Sequence, residues 1–108
     1  MSMTIAGIEF ARVHYDSRGD VLYLNVADAR RPPWDAHASE EGHAVDFDDA
    51  GRVIGMTIVG ARWWLERDGV LNITLAAEDL TPQELTALGS SKLRATEAEL
   101  APALKSAA

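Results

Sequence analysis

The sequence predicts an α+β domain in which an antiparallel β meander of about four to six strands carries one short C-terminal helix on a face or edge. Short apolar segments with period-two alternation flank polar turns, which is typical of consecutive hairpins. Because no strand–helix–strand spacing is present, the strands are expected to pair antiparallel. The chain of 108 residues suits one domain, which we expect to cover residues 1–91.

The first predicted hairpin lies near the N-terminus. Val13 and Tyr15 alternate with polar residues, a polar turn follows at residues 16–20, and a second alternating segment covers residues 21–26. Apolar side chains that face each other across a hairpin stabilise the strand pair. We therefore expect Tyr15 and Leu22 to pair across this turn.

A second hairpin is predicted from residues 44–47 and 52–59, joined by an acidic turn in which Gly51 supplies a positive φ angle. Between the two hairpins, residues 27–42 contain two consecutive prolines. Proline disrupts helices and central strands, so this segment is predicted to be a long surface connection.

One face of the two hairpins is predicted to form the core, because side chains on a strand alternate between its faces. The residues expected on this buried face are Val13, Tyr15, Leu22, Leu24, Val26, Val45, Phe47, Ile54, Met56 and Ile58.

A third hairpin is predicted from residues 62–66 and 70–75, with the Asp-Gly pair at 68–69 as its turn. Trp63 and Trp64 would then point to opposite faces of one strand. One ring joins the core, and the other needs cover from the C-terminal helix or from a second subunit. An exposed tryptophan is unfavourable, and aromatic residues concentrate in interfaces, so we expect a homodimer.

A helix start is indicated by Thr81, Pro82 and Glu84, which match an N-cap, a proline at the first helical position and a capping-box carboxylate. Gly89 is expected to end this helix. Residues 92–108 are expected to form a marginal helical or flexible tail.

The two hairpins resemble a small bacterial family, domain of unknown function family 2283, over about residues 10–61. The first half of the resemblance is carried by Tyr15, Asp16, Asp20, Leu22, Tyr23 and Leu24. The second half is carried by Val45, Asp46, Asp48, Gly51, Val53, Ile54, Gly55 and Ile58. The resemblance implies no established activity, but some members look like partners of small toxin-like proteins. An antitoxin-like role beside a basic protein is therefore what it implies.

The charge balance excludes some classes of function. The chain has 10 Lys and Arg residues against 17 Asp and Glu residues, a net charge of -7. This argues against direct binding of nucleic acid or anionic membranes and permits a basic protein partner. Cysteine is absent, which excludes disulfides and thiol nucleophiles. No apolar segment approaches the length of about 18 residues that a spanning helix needs, and residues 1–10 lack a secretory signal pattern, so we expect a cytoplasmic protein.

The acidic turn of the second hairpin is compared with a calcium-binding loop. Asp46, Asp48 and Gly51 fit the spacing of an EF-hand, but Ala50 and Thr57 stand where it needs oxygen ligands. We interpret the segment as a hairpin turn in which aspartate bonds the local backbone.

The histidines form only loose groupings. His37, His43 and Asp46 have no ligand spacing typical of a metal site, and we interpret the histidines as surface residues. Ser39 has no nucleophile elbow that would make it a triad with His43 and Asp46. We expect no catalytic residue, metal or cofactor.

These observations favour a non-enzymatic protein-interaction module, a homodimer that binds a basic protein. The candidate interaction residues are Trp34, Trp63 and Trp64, together with the cations Arg30 and Arg31. The segment around Trp34 offers an aromatic ring that could stack on a base or dock in a partner groove. The pattern favours a proline-stiffened connector with Trp34 folded onto the sheet.

Two alternatives stay open. One is a small enzyme that uses His14, Asp16, Asp46 or Asp48 in a cleft. The other is a sheet that binds a small ligand or metal through the same kind of side chain.

Overall fold

The elements of the fold follow one another closely along the chain. The structure, a computed structural model, describes residues 2–27 and 33–105. In chain order the strands and helices are β1 (Met3–Ile5), β2 (Ile8–Phe10), β3 (Arg12–Asp16), β4 (Val21–Asn25), β5 (Asp35–Ala38), β6 (Ala44–Phe47), β7 (Val53–Val59), α1 (Ala61–Asp68), β8 (Val70–Thr74), a 3₁₀ turn (Ala77–Asp79), α2 (Pro82–Leu88), β9 (Lys92–Thr96) and α3 (Glu97–Lys105).

A five-stranded antiparallel sheet of order β3-β4-β7-β6-β5 organises the chain. The two predicted hairpins lie side by side in it, because β4 pairs with β7. Tyr15 lies opposite Leu22 as predicted. Two smaller antiparallel pairs, β1-β2 and β8-β9, complete the strands of the described residues. The α+β class with an antiparallel sheet is confirmed, although the described residues hold three α-helices rather than one.

The core lies on one face of the sheet, under the small hairpins and the helices. Seven of the ten predicted core residues are buried: Tyr15, Leu22, Leu24, Val45, Phe47, Met56 and Ile58. The other three, Val13, Val26 and Ile54, are half-buried. A register shift between Asp46 and Phe47 lies opposite Ile54 at the start of β7, and this irregularity explains why Ile54 is only half-buried. Additional core residues come from outside the two hairpins: Ile5, Phe10, Ala61, Leu65, Leu71, Ile73, Leu93, Ala95, Leu100, Ala103 and Leu104.

The predicted third hairpin is wrong in its first strand. Residues 61–68 form helix α1, so Trp63 and Trp64 lie on a helix and not on a strand. The Asp-Gly pair that was expected to make the hairpin turn ends the helix: Gly69 has a φ angle of 76° and its N–H bonds to the Leu65 carbonyl. Strand β8 follows as predicted, but it pairs with β9.

The predicted surface connection contains a strand that the prolines had argued against. Residues Asp35–Ala38 form β5, which pairs antiparallel with β6 at one edge of the sheet. Pro33 precedes the strand and so removes no hydrogen bond from it. Residues 28–32 of the predicted connection lie outside the described residues.

The C-terminal segment contributes to the core. Residues 92–96 form β9, and α3 begins directly after it. Glu99 donates its N–H to the Thr96 hydroxyl and accepts the Thr96 N–H, which is a capping box. The buried Leu100 and Leu104 then face the core, and α3 packs against β1, β3 and β9. Of the helices in residues 2–27 and 33–105, none has the length and apolarity needed to cross a membrane.

Truncation of Leu24 tests the assignment of the buried face. Leu24 is fully buried in β4, whereas its neighbour Tyr23 points to the open face. We expect Leu24→Ala to lower the free energy of unfolding by about 2–4 kcal/mol, because it leaves a cavity in a packed core. Tyr23→Ala is the control and should cost less. Urea denaturation of both variants measures the difference, and the reverse order would contradict the assigned faces.

Replacement of Thr81 tests the predicted start of α2, which the structure confirms. The Thr81 hydroxyl accepts the N–H of Glu84, and the Glu84 carboxylate accepts the N–H of Thr81. Thr81→Ala should lower the free energy of unfolding by about 1 kcal/mol, because a helix N–H loses its partner. Thr81→Ser keeps the hydroxyl and should stay close to the wild type. Equal losses in the two variants would contradict the capping role.

Candidate functional site

The carboxylate of Asp20 connects the first hairpin to helix α1. Asp20 lies in the β3–β4 turn with a φ angle of 54°, a conformation that aspartate tolerates better than most residues. Its carboxylate accepts the Tyr15 hydroxyl at 2.7 Å, the N–H of Arg62 at 2.8 Å and the N–H of Trp63 at 3.0 Å. Its backbone carbonyl accepts the N–H of Gly60 at 2.7 Å. The start of α1 is therefore capped by a residue of another element.

These hydrogen bonds change the acidity of both side chains. Burial raises the pKa of Asp20, but the hydrogen bonds from Arg62, Tyr15 and Trp63 outweigh it and hold the pKa below its ordinary value. Burial and the hydrogen bond to Asp20 raise the pKa of Tyr15 to about 12. Tyr15 is therefore a hydrogen-bond donor, and Asp20 an ionised acceptor, at neutral pH.

The two tryptophans of α1 have different surroundings. Trp64 packs against the core and against the His43 ring, with 6.2 Å between ring centroids. Trp63 is 54% exposed and meets the Trp64 ring edge-on at 4.9 Å. The Arg67 guanidinium lies over both rings, at 5.3 and 5.4 Å from their centroids. The Trp64 ring is thus covered and the Trp63 ring is exposed. The sequence predicts this difference for a strand, whereas the structure produces it on a helix.

Two further large apolar side chains are exposed on the paired strands β4 and β7, the second of which leads into α1. Tyr23 is 42% and Val59 is 46% exposed. Val59 pairs with Val21, two residues before Tyr23 on the same face of β4, and Gly60 joins Val59 to α1. We call Tyr23, Val59 and Trp63 the exposed corner. Tyr23 and Val59 lie on the open face of the sheet, and Trp63 lies in the first turn of α1, four residues after Val59.

The structure does not bring all predicted interaction residues together. Trp34 is 76% exposed beside the edge strand β5, whereas Trp63 and Trp64 lie on α1, which follows β7. The Trp34 N–H donates to the Phe47 carbonyl, which places it at the β5–β6 side of the sheet. Arg30 and Arg31 are outside the described residues.

His43 is buried, so its interpretation as a surface residue is wrong. Its Nδ1 accepts the N–H of Val59 at 3.0 Å, and its Nε2 has no hydrogen-bond partner within the described residues. Burial lowers the pKa of His43 although the charge of Glu41 opposes this, so the ring is neutral at physiological pH. Ser39 accepts the His43 N–H through its hydroxyl, and Asp46 lies on the opposite face of the sheet, so these residues form no catalytic triad.

A second polar cluster joins β5 to α2. His37 Nε2 lies 2.9 Å from Asp35 Oδ2 and 3.2 Å from Glu84 Oε1. Glu84 is 2% exposed. A hydrogen bond with Glu84 holds the pKa of Asp35 below its ordinary value. Burial opposes this lowering, and the charge and hydrogen bond of His37 add to it. We call Asp35, His37 and Glu84 the edge cluster.

Sequence reasoning missed the edge cluster. It assigned Glu84 to the helix cap alone and grouped His37 with His43 and Asp46, which the structure keeps apart. The spacing of Asp35 and His37 on one strand face is a visible signal for half of the cluster. Glu84 is 47 residues further along the chain than His37, and no local pattern indicates that contact.

A comparison with protein families identifies the part of the chain that holds both hairpins. The family model described as "Protein of unknown function (DUF2283)" matches residues 12–62. This segment belongs to the DUF2283 family. Searches of curated proteins and of solved structures each gave no match. The DUF2283 segment covers the five-stranded sheet and ends at Arg62, in the first turn of α1.

Two motif features of the DUF2283 segment have a structural role. Tyr15 and Asp20 make the cap of α1 described above. Gly55 allows β4 and β7 to approach closely. A Cβ atom at this position would lie 2.8 Å from the side-chain Nδ2 of Asn25 and 3.0 Å from the backbone carbonyl oxygen of Leu24. A larger residue would push the two central strands apart.

The histidine and aspartate residues proposed for a small enzyme are not brought together in one cleft. His14 lies on edge strand β3 and stacks on Tyr23, whereas Asp46 lies on β6, three strands away. Three strand spacings amount to about 14 Å. Burial raises the pKa of Asp46. Asp48 accepts the N–H groups of Ala50 and Arg52, as the interpretation of a hairpin turn predicts.

Substitution of Asp20 should weaken the connection between the DUF2283 hairpin and α1. Asp20→Asn tolerates the same backbone conformation but replaces one acceptor oxygen by a donor. We expect a loss of about 1–2 kcal/mol in the free energy of unfolding at neutral pH.

The pH dependence of this loss follows from the lowered pKa of Asp20. The ionised carboxylate stabilises the folded state at pH values above its unfolded pKa, and this contribution disappears as the pH falls through the folded pKa. The difference between the wild type and Asp20→Asn should therefore shrink between about pH 5 and pH 2. Urea denaturation across that range measures it, and a difference that stays constant would refute the electrostatic part of the argument.

Proposed function

We propose that this chain is a non-enzymatic interaction module of the cytoplasm that acts as a homodimer through the exposed corner. The observation that carries the proposal is the 54% exposure of Trp63 on a helix whose start is held by Asp20. A tryptophan ring buries about 150–250 Å² in an interface, and tryptophan is among the residues that contribute most to binding energy.

The exposed corner is ordered before any partner binds. Asp20 fixes the first turn of α1, and Arg67 covers one side of the Trp63 ring. Tyr23 and Val59 are held by paired strands. Side chains that are already in place lose less conformational entropy on association, which favours binding.

The charges around the exposed corner favour a second copy of the chain. Glu66 and Arg67, three and four residues after Trp63 on α1, are exposed, so the rim beside Trp63 carries both signs. A two-fold interface places each side chain opposite the same surface, and a rim of mixed sign permits arginine–glutamate pairs across the axis. A basic partner would be attracted by the net charge of -7, but it would meet the Arg67 guanidinium over the Trp63 ring.

Sedimentation velocity at micromolar concentration tests the proposal. The wild type should sediment as a dimer, and Trp63→Ser should sediment as a folded monomer because the interface loses its central ring. Trp34→Ser is the matched control, since Trp34 is a more exposed tryptophan beside a different strand, and this variant should remain dimeric.

Circular dichroism of each variant establishes that the fold is intact. A wild type that is monomeric at every concentration overturns the homodimer. A dimer that is lost in Trp34→Ser and kept in Trp63→Ser moves the interface to β5 and contradicts the exposed corner. A monomer that binds a basic protein through Trp63 supports the interaction module and removes the homodimer.

A further inference from the structure

We propose that the edge cluster, Asp35, His37 and Glu84, is a binding site for a divalent transition-metal ion such as Zn²⁺. The ion would join the edge strand β5 to the first turn of helix α2. This inference is independent of the homodimer, because it rests on different residues at another part of the sheet.

The distances within the edge cluster suit a small cation. The three ligand atoms are Asp35 Oδ2, His37 Nε2 and Glu84 Oε1, and all lie within 4.8 Å of one another. The imidazole nitrogen is 2.9 Å from one carboxylate oxygen and 3.2 Å from the other. Ligands around a tetrahedral Zn²⁺, with bonds of about 2.0–2.1 Å, lie about 3.3 Å apart. The two imidazole–carboxylate distances would have to lengthen by only a few tenths of an ångström to reach that spacing. The two carboxylate oxygens, which lie within 4.8 Å of each other, would close on the same ion by rotation of the half-exposed Asp35 side chain.

The two carboxyl groups of the edge cluster have little positive charge near them. Glu84 is buried, and within residues 2–27 and 33–105 no lysine or arginine nitrogen forms a salt bridge with Glu84 or Asp35. Both carboxyl groups converge on one imidazole nitrogen, which carries at most one proton. A divalent ion would contact all three groups at once and balance the charge of two carboxylates.

Each ligand is positioned by backbone structure. Asp35 and His37 share the inner face of β5, where they lie opposite Phe47 and Val45 of β6. The His37 ring also meets the Phe47 ring edge-on at 5.6 Å. A site held by a paired strand needs little rearrangement when the ion enters.

Neighbouring N–H groups orient the two carboxylates. The Thr81 N–H donates to Glu84 Oε1 at 2.8 Å, and the Ala36 N–H donates to Asp35 Oδ1 at 3.0 Å. The first turn of α2 is held in place by Gly51, where a Cβ atom would lie only 2.6 Å from the Gln83 Cβ. Hydrogen bonds of this kind orient metal ligands in known sites.

The ligand types select the class of ion. One imidazole and two carboxylates suit Zn²⁺ or Mn²⁺, whereas Ca²⁺ takes six to eight oxygen ligands. The Asp35 side chain is 40% exposed, so the cluster is open to solvent on that side. Water would supply the remaining coordination position.

Calorimetric titration of the tag-free, EDTA-treated chain with ZnCl₂ tests the site. We expect one ion per chain, a dissociation constant in the micromolar range or below, and an increase in Tm on addition of Zn²⁺. Asp35→Asn and His37→Ala should each weaken binding at least about tenfold. His14→Ala removes an exposed histidine elsewhere on the sheet and is the matched control, which should bind as the wild type does.

The outcomes of these measurements distinguish a metal site from a hydrogen-bonded structural contact. Because Asp35 is half-exposed, Asp35→Asn is expected to fold even if a variant of buried Glu84 does not. Absorption bands of Co²⁺ that appear with the wild type and are absent from His37→Ala would support coordination by the imidazole. No binding below millimolar Zn²⁺, or equal affinity in the wild type and His37→Ala, overturns the proposal. The edge cluster is then a hydrogen-bonded contact that joins β5 to α2 without an ion.

Discussion

The hydrogen bonds from α1 to the Asp20 carboxylate are the constraint on which the arrangement of the remaining chain depends. Residues 61–68 follow a seven-residue strand and contain two bulky aromatic residues, so their local preference alone does not require a helix. Asp20 accepts two N–H groups of the first turn and its carbonyl accepts the N–H of Gly60, which turns the chain out of the sheet. The helix then returns the chain toward the core, where β8 follows.

This constraint also decides what the two tryptophans do. On a strand, Trp63 and Trp64 would lie on opposite faces of the sheet. On a helix that starts at Ala61, they are separated by about 100° around the axis, so Trp64 reaches the core while Trp63 stays at the surface. The prediction that one ring is covered and the other exposed therefore holds although the predicted strand is wrong. Adjacent side chains point in different directions both on a strand and on a helix.

The parts of the fold that could be predicted from the sequence are those with local causes. The two hairpins are specified by alternation and by turn residues within a few positions, and the start of α2 is specified by a capping box of four residues. Helix α1 was not predictable in this way, because its cap is 42 residues away from Arg62. Strand β5 also lacked a local signal, since its four residues become a strand by pairing with β6.

The edge cluster shows the same limit for a site. The capping motif around Glu84 was visible, but the motif does not reveal that the same carboxylate oxygen also meets His37. Sequence spacing describes contacts within an element, whereas a metal-binding arrangement here depends on how a strand and a helix dock. This docking depends on the close packing of the β6–β7 turn against α2 at Gly51. No sequence pattern within the turn or within α2 predicts that contact.

The two edges of the sheet bear on how the chain can associate. Edge strands present unpaired backbone groups, and proteins protect them with charged side chains, including ones that point inward. Strand β5 carries Asp35 and His37 on its inner face, and β3 carries Arg12 and His14 on its open face. Strand addition at either edge would have to accommodate these polar side chains. Tyr23 and Val59 lie on the inner strands β4 and β7, so the proposed homodimer would form without strand addition at either edge. It would also leave the edge cluster on β5 accessible.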